Sequence, residues 1–245
     1  MDGSGTQNSN RNYYDAFSEG YERLRGTNCP GGYHELLDSL ESELVQRYGT
    51  GARVLEVGCG TGLVLERINR FAKSAEGVDL SLGMLERARS RGLSVSEASA
   101  TSLPFEDGVF DVTCSFKVLP HIPEIELALS EMCRVTRSGG HIIAEFYNPH
   151  SFRGLIKRFG PSLRVSTNAN ESSVFTRFDS PSDAAAQAPK GTRLIDSRGI
   201  RILTPLGSLL ALPVLGPLMQ KAERAAADGP LKAFSGFWVG VFRKD

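Results

Sequence analysis

The stretch Val54-Leu55-Glu56-Val57-Gly58-Cys59-Gly60-Thr61-Gly62 decides the fold. An apolar run over Ala52 to Val57 ends in a loop with glycine at every second position. A helical pattern through Leu65 and Ile68 follows, which reads as strand, tight loop, helix. Glycine suits a backbone that must turn sharply and let a ligand approach where a Cβ would collide. In an open α/β sheet that ligand lies beyond the carboxyl end of the strand. The dinucleotide fingerprint G-x-G-x-x-G requires glycine at position 63, but the chain has Leu63 and carries its third glycine at Gly62. A nicotinamide-dinucleotide reading loses ground on that detail.

Outward from this unit the same alternation continues. Upstream, Tyr13 to Leu24 and Tyr33 to Tyr48 carry apolar residues at helical spacing, with Leu36, Leu37, Leu40, Leu44 and Val45 as a stripe on the second. Downstream come a strand at Ala75 to Asp79, a helix from about Leu82 to Ser90, a short strand at Leu93 to Glu97 and a strand at Val109 to Ser115. A helix at Ile125 to Val135 leads through Gly139 and Gly140 into a strand at His141 to Phe146. Strands alternating with helices in this way call for a parallel sheet covered on both faces, because each parallel connection needs a crossover. The fold class is therefore α/β. The pattern then fades over residues 148–190, apart from a basic helix candidate at Phe152 to Phe159, and this segment reads as an insertion, a lid over the site. A strand near Leu194 to Leu203, a helix through Leu206 to Ala226 and a strand at Gly236 to Phe242 complete the chain. Residues 13–245 read as one domain, and residues 1–12, rich in Gly, Ser and Asn, as a disordered tail.

Composition narrows the function. Of 245 residues, 40% are hydrophobic and 23% charged, which is an ordinary globular balance. Twenty-eight basic residues offset twenty-eight acidic ones, so no long-range positive field gathers a nucleic acid. The cysteines Cys29, Cys59, Cys114 and Cys133 form no C-x-x-C pair, and no cluster of His, Cys, Asp and Glu has ligand spacing. Neither a metal site nor a disulfide framework is read from them. The longest apolar stretch, Pro205 to Met219, is broken by Pro213, Gly216 and Pro217 and falls short of the roughly 20 residues a membrane helix needs. A cytoplasmic protein without integral membrane association is the expectation.

Two acids stand at strand ends. Glu56 precedes the first glycine, where a carboxylate meets a cationic amino group or water; a solvated strand-end acid is the alternative. Asp79 ends the second strand about 20 residues beyond the glycine loop, where an acid accepts bonds from the ribose hydroxyls of an adenosine; a helix cap before Leu82 is the alternative.

Val54 to Gly62, Gly77-Val78-Asp79-Leu80-Ser81, Leu103-Pro104-Phe105-Glu106-Asp107, Phe110-Asp111-Val112 and Gly139-Gly140 together resemble the successive motifs of class I S-adenosylmethionine (SAM)-dependent methyltransferases. More narrowly they resemble the branch of the ubiquinone and menaquinone methyltransferases. The resemblance covers about Tyr13 to Pro149 and is specific as a set. It implies a Rossmann-like, mostly parallel seven-stranded sheet and SAM as cofactor, with S-adenosylhomocysteine as product. It also implies that Gly58, Gly60 and Gly62 approach the methionine part with Glu56 close by, that Asp79 holds the ribose, and that Leu80 and Met84 flank the adenine. Cys59, Ala100 and Phe116 complete the implied cofactor set. Ser99 stands where the branch has an acid before Ala-x-x-Leu-Pro-Phe, so the adenine contact passes to Ser99 or to a backbone carbonyl. Thr136-Arg137-Ser138-Gly139-Gly140 replaces Leu-Lys-Pro-Gly-Gly in a turn.

Methyl transfer needs positioning above all, since the donor is already reactive. A base is needed only where the acceptor must lose a proton. His121, in the loop after the fourth strand, is the candidate base; a structural or substrate-positioning histidine is the alternative. Tyr147, Asn148 and His150 follow the fifth strand, and Tyr14 and Tyr21 reach toward the cleft from the N-terminal helix; packing or capping explains each equally. Leu, Val and Phe in the insertion and the C-terminal helix suggest a small lipophilic acceptor methylated at oxygen or carbon, such as a quinone, polyketide, terpenoid or lipid. Lys157, Arg158 and Arg164 could meet an anionic group or simply be solvated. The rival classes are a SAM-binding module without chemistry, disfavoured by the intact motifs, and a nucleic acid or protein methyltransferase, disfavoured by the neutral charge. A monomer or homodimer is expected.

Overall fold

A computed structural model describes residues 32–151, 175–204 and 207–245. The expected helix at Tyr13 to Leu24, Tyr14 and Tyr21 within it, the helix candidate at Phe152 to Phe159, and Lys157, Arg158 and Arg164 lie outside the described residues, as does the N-terminal tail. The elements in order are α1 (Tyr33–Gly49), β1 (Arg53–Val57), α2 (Leu63–Ile68), β2 (Ser74–Asp79), α3 (Leu82–Ser90), β3 (Ser94–Glu97), β4 (Phe110–Ser115), α4 (Ile125–Val135), β5 (Thr136–Tyr147), α5 (Pro181–Ala186), β6 (Thr192–Ile200), α6 (Leu215–Ala227) and β7 (Phe237–Lys244).

They build one seven-stranded sheet in the order β3-β2-β1-β4-β5-β7-β6. β1 pairs in parallel with β2 and β4, β2 with β3, and β4 with β5, while β7 runs antiparallel between β5 and β6. The central strands are apolar because both faces are covered: Leu55, Val57 and Ile142 join α4 on one side, and Val54, Val112 and Ile143 join α1 and α2 on the other. The strand order reverses between β1 and β4, which places a crevice at the carboxyl ends of these neighbours. Among the described residues no helix is long and apolar enough to cross a membrane.

Three elements differ from expectation, each for a local reason. β5 begins at Thr136, ahead of the glycine pair. Phe110 pairs with Thr136 and Val112 with His141, so Arg137 to Gly140 bulge out, with Gly139 at φ +75°. The helix expected through Leu206 to Ala226 starts only at Leu215, after a 3-10 turn over Gly207–Ala211. Pro213 cannot continue a helix. The turn folds so tightly onto α6 that a Cβ at Gly216 would lie 2.2 Å from the Leu210 carbonyl oxygen. Between β5 and β6, α5 forms in a stretch without apolar period. Ser180 and Asp183 make a capping box around its start, with Pro181 in the first turn.

α1, β6 and the end of α6 are joined by ion pairs. Arg198, only 4% exposed, grips Asp228 as a fork, with Nε 2.8 Å from Oδ1 and Nη2 2.7 Å from Oδ2, and its Nη1 donates to the Leu40 carbonyl. Arg47 pairs with the same carboxylate. Hydrogen bonding from Arg198 holds the Asp228 carboxyl well below its ordinary range. Such a group stabilises the fold above its unfolded pKa of about 4 and loses that contribution as the pH falls toward the native value. Asp228→Ala is expected to lower the unfolding free energy at pH 7 by about 1–3 kcal/mol, since the partner left behind is buried while Asp228 itself is partly exposed. In urea titrations the gap between variant and wild type should narrow below pH 4; an equal gap at pH 7 and pH 3 would contradict this reading.

Candidate active site at the carboxyl edge of the sheet

The glycine loop is held by β2. The amides of Gly58 and Cys59 both donate to the Val78 carbonyl, at 2.7 and 2.9 Å. The next free amide, that of Gly60, donates to Asp79 Oδ2 at 2.8 Å, while Ser81 N donates to Asp79 Oδ1 at 2.9 Å. One carboxylate thus ties the loop to the start of α3, whose first turn is capped by Ser81 Oγ accepting from Met84 N. Gly58, Gly60 and Gly62 all have positive φ (+79°, +53° and +83°), but for different neighbours. A Cβ on Gly58 would meet Val118 at 2.2 Å and one on Gly62 would meet Leu93 at 2.4 Å, whereas one on Gly60 would find nothing within 4 Å among the described residues. Protein packing accounts for the first and third. The open space over Gly60 is the place where the loop can be approached.

The other expected cofactor residues sit around this loop in different ways. The Cys59 thiol is buried against β2, where a Cβ on Gly77 would lie 2.7 Å from its Sγ, and burial pushes the thiol up. Leu80 is half-buried, and Met84, Ala100 and Phe116 are buried. Ser99 Oγ is 2.7 Å from Thr101 Oγ1 and accepts from Thr101 N, so its side chain organises the turn after β3.

Beneath the edge lies a cluster that the sequence reading missed. Glu56, Asp38, Glu41 and Glu145 are all buried. Lys117, at φ +61° just past β4, donates its amide to Glu145 Oε1 at 3.0 Å. Its ammonium lies 3.2 Å from Asp38 Oδ1 and 2.6 Å from Glu41 Oε1, both on α1. Among the described residues, Glu56 Oε2 and Glu145 Oε2 are buried without a hydrogen-bond partner. Burial first, and the Glu41 charge second, push both carboxyls well above the ordinary range. The cluster therefore favours protonated acids or an added positive charge. No three His, Cys, Asp or Glu side chains are grouped to hold a metal ion among the described residues.

Further along the edge, His121 closes a 3-10 turn over Leu119–His121. Its Nδ1 is 2.9 Å from the Phe175 carbonyl oxygen and 3.2 Å from Thr176 Oγ1. A carbonyl only accepts, so the neutral ring carries its proton on Nδ1 and keeps its lone pair on Nε2. Nε2 lies 3.4 Å from the Tyr147 hydroxyl, with the rings edge to face at 5.5 Å. The strip that supplies Phe175 is stitched in place on both sides: Arg177 N donates to the Pro120 carbonyl and Asp179 N to the Tyr147 carbonyl. His121 and Tyr147 are thus brought together. His150 is exposed, and its amide donates to Asn148 Oδ1, while the buried Asn148 amide group clamps the Ala233 and Ser235 carbonyls.

The residues present fit SAM on structural grounds: open space over Gly60, an acid at the β2 end, and an unpartnered buried carboxylate oxygen on Glu56 that suits a cationic ligand. Solved structures show the same fold. A SAM-dependent methyltransferase from Thermotoga maritima superposes with a TM-score of 0.68 at 24% identity, covering 95% of this chain and 98% of that one. The methyltransferase bound to the Trm112 activator from Haloferax volcanii gives 0.63 at 16%, covering 94% and 96%. The fold is that of the class I SAM-dependent methyltransferases.

A methyltransferase-domain family model matches residues 55–144. A ubiquinone/menaquinone biosynthesis C-methyltransferase from Allorhizobium ampelinum is 30% identical over 195 residues, covering 69% of this chain and 75% of that protein. A demethylmenaquinone methyltransferase from Mycolicibacterium paratuberculosis is 39% identical over 103 residues, 41% of this chain. The match spans under half, 44%, of that relative's length. The chain belongs to the SAM-dependent methyltransferases of the ubiquinone/menaquinone type, whose cofactor is SAM.

Asp79→Ala is expected to weaken S-adenosylhomocysteine binding by about 1–3 kcal/mol, through lost charged hydrogen bonds and a loosened Gly60 amide. Gly60→Val should abolish binding, because its side chain would fill the open space and a β-branched residue strains the loop at φ +53°. Calorimetry showing wild-type affinity in either variant would remove that residue from the cofactor site.

Proposed function

We propose that this chain transfers a methyl group from SAM to a small, lipophilic hydroxyaryl acceptor, at carbon or oxygen, in the crevice between the glycine loop and the His121–Tyr147 pair. The observation that carries this reading is the His121–Tyr147 pair past the ends of β4 and β5, in which Nδ1 is held by the Phe175 carbonyl oxygen and Nε2 lies 3.4 Å from the Tyr147 hydroxyl. The similarity to ubiquinone- and menaquinone-pathway C-methyltransferases supports an aromatic acceptor.

Bound SAM supplies an electrophilic methyl group on a sulfonium, so the protein's part is to hold, orient and deprotonate. Asp79 would hold the ribose, and the loop around Gly60, with Glu56 close by, would receive the methionine part. His121 Nε2 accepts the acceptor's hydroxyl proton, which makes the ring oxygen and the carbons conjugated with it nucleophilic. The resulting imidazolium is stabilised by the Phe175 carbonyl and the Thr176 hydroxyl at Nδ1. Tyr147, packed on Phe237 at 5.1 Å between ring centroids, keeps the imidazole upright and offers an aromatic wall. The described strip that donates from Arg177 N to the Pro120 carbonyl and from Asp179 N to the Tyr147 carbonyl would cover the acceptor beside His121. The whole of residues 13–245 acts as one domain.

His121→Ala should reduce methylation of reduced 1,4-naphthoquinone by about 10²- to 10⁴-fold, the usual range for a lost general base, with S-adenosylhomocysteine affinity unchanged. The wild-type rate should rise with pH through the acid limb and the variant should lose that limb. A variant that keeps the wild-type pH profile by mass-spectrometric assay would leave positioning as the whole mechanism.

A further inference from the structure

Arg201 follows β6 at the same edge of the sheet as Tyr147. β7 runs antiparallel to both β5 and β6, and its first residue, Phe237, pairs with Tyr147 on one side and Ile200 on the other. The Arg201 stem lies over Gly236, where a Cβ would come within 3.1 Å of its Cδ. Its guanidinium carbon sits 5.4 Å from the Tyr33 ring centroid and 5.7 Å from that of Phe237. His121, Tyr147, Phe237 and Arg201 thus form a continuous series of ring and guanidinium contacts along one wall.

Two properties set Arg201 apart. Its backbone is left-handed at φ +64°, a strained state for a residue with a side chain. Among the described residues no carboxylate pairs with it, and its Nε is buried without an acceptor. Lys117 also has positive φ, but its charge is met by Asp38 and Glu41. Glu223, the buried acid that holds the backbone after Arg201, is spent on the amides of Ile202 and Leu203 and the hydroxyl of Thr204. Stacking on two rings satisfies the charge in part and leaves the planar fork of N–H donors unmatched, and that fork is the complement of a carboxylate.

We propose that Arg201 is the carboxylate subsite of the acceptor pocket, so that the acceptor is a planar hydroxyaryl ring bearing a carboxylate. The ring lies on the Phe237–Tyr147 wall, its hydroxyl serves His121 and its carboxylate takes the Arg201 fork. This rests on the methyltransferase reading above and narrows it to an anionic substrate class.

The test uses two probes that differ by one group and carry the hydroxyl at the far end of the ring system from the carboxylate, 6-hydroxy-2-naphthoate and 2-naphthol, titrated into the full chain saturated with S-adenosylhomocysteine. Wild type should bind the carboxylate probe at least about tenfold more tightly, the range of a charged hydrogen-bond pair. Arg201→Met should erase that preference while leaving 2-naphthol affinity unchanged, and Arg201→Lys should restore part of it. Binding of S-adenosylhomocysteine to all three proteins, measured first, shows that they are folded and separates failure of this proposal from failure of the methyltransferase reading. Wild type that binds both probes equally or binds neither, or Arg201→Met that keeps the preference, would overturn the assignment.

Discussion

The arrangement depends above all on Lys117 bringing a positive charge among buried carboxylates. Taking ions out of water costs several kcal/mol each unless partners are placed closely, so such a cluster tolerates little displacement. Lys117 reaches back to Asp38 and Glu41 on α1 and, through its own amide, holds Glu145 on β5. That fixes α1 on its face of the sheet, with Tyr33 at its start beside Arg201. It also pins the chain where it leaves β4, immediately before the turn that carries His121. A helix, two strands and the turn that carries His121 are thereby tied together by one residue with a left-handed backbone.

The cofactor side is built more economically, from the backbone. Val78 accepts two loop amides and Asp79 accepts a third and that of Ser81. Asp79 therefore has two tasks, loop geometry and the ribose contact proposed for it. The Cys59 thiol fills the room left by Gly77, so the loop packs down onto β2 rather than standing away from it. Glu56 contributes a buried oxygen without a partner directly below. The fold alone does not dictate this chemistry; the residues at the edge do.

Much of the fold is legible in the sequence, because the parallel strands are continuous apolar runs and the helices between them keep their periodic stripes. The region around Glu56, the glycines and Asp79 is legible for the same reason: its residues are local to two strand ends. The Lys117 cluster is not, since Lys117 meets partners 76 and 79 positions away and burial of Asp38 and Glu41 runs against their residue type. Arg201 is equally silent, as nothing in Ile200-Arg201-Ile202 announces a left-handed residue. By contrast, α5 did leave a signal in Ser180-Pro181-Ser182-Asp183, a capping box with proline in the first turn, hidden only by the absence of apolar spacing. The late start of α6 was likewise written in Pro213.

The central claim is that the carboxyl edge around Gly60 and Asp79 holds the cofactor. A crystal structure of the chain grown with S-adenosylhomocysteine tests it most directly. The account predicts ribose hydroxyls in hydrogen-bond contact with the Asp79 carboxylate and the ligand's amino-acid end beside Gly60 above Glu56. A ligand seated elsewhere, or a crevice left empty at saturating concentration, would contradict it.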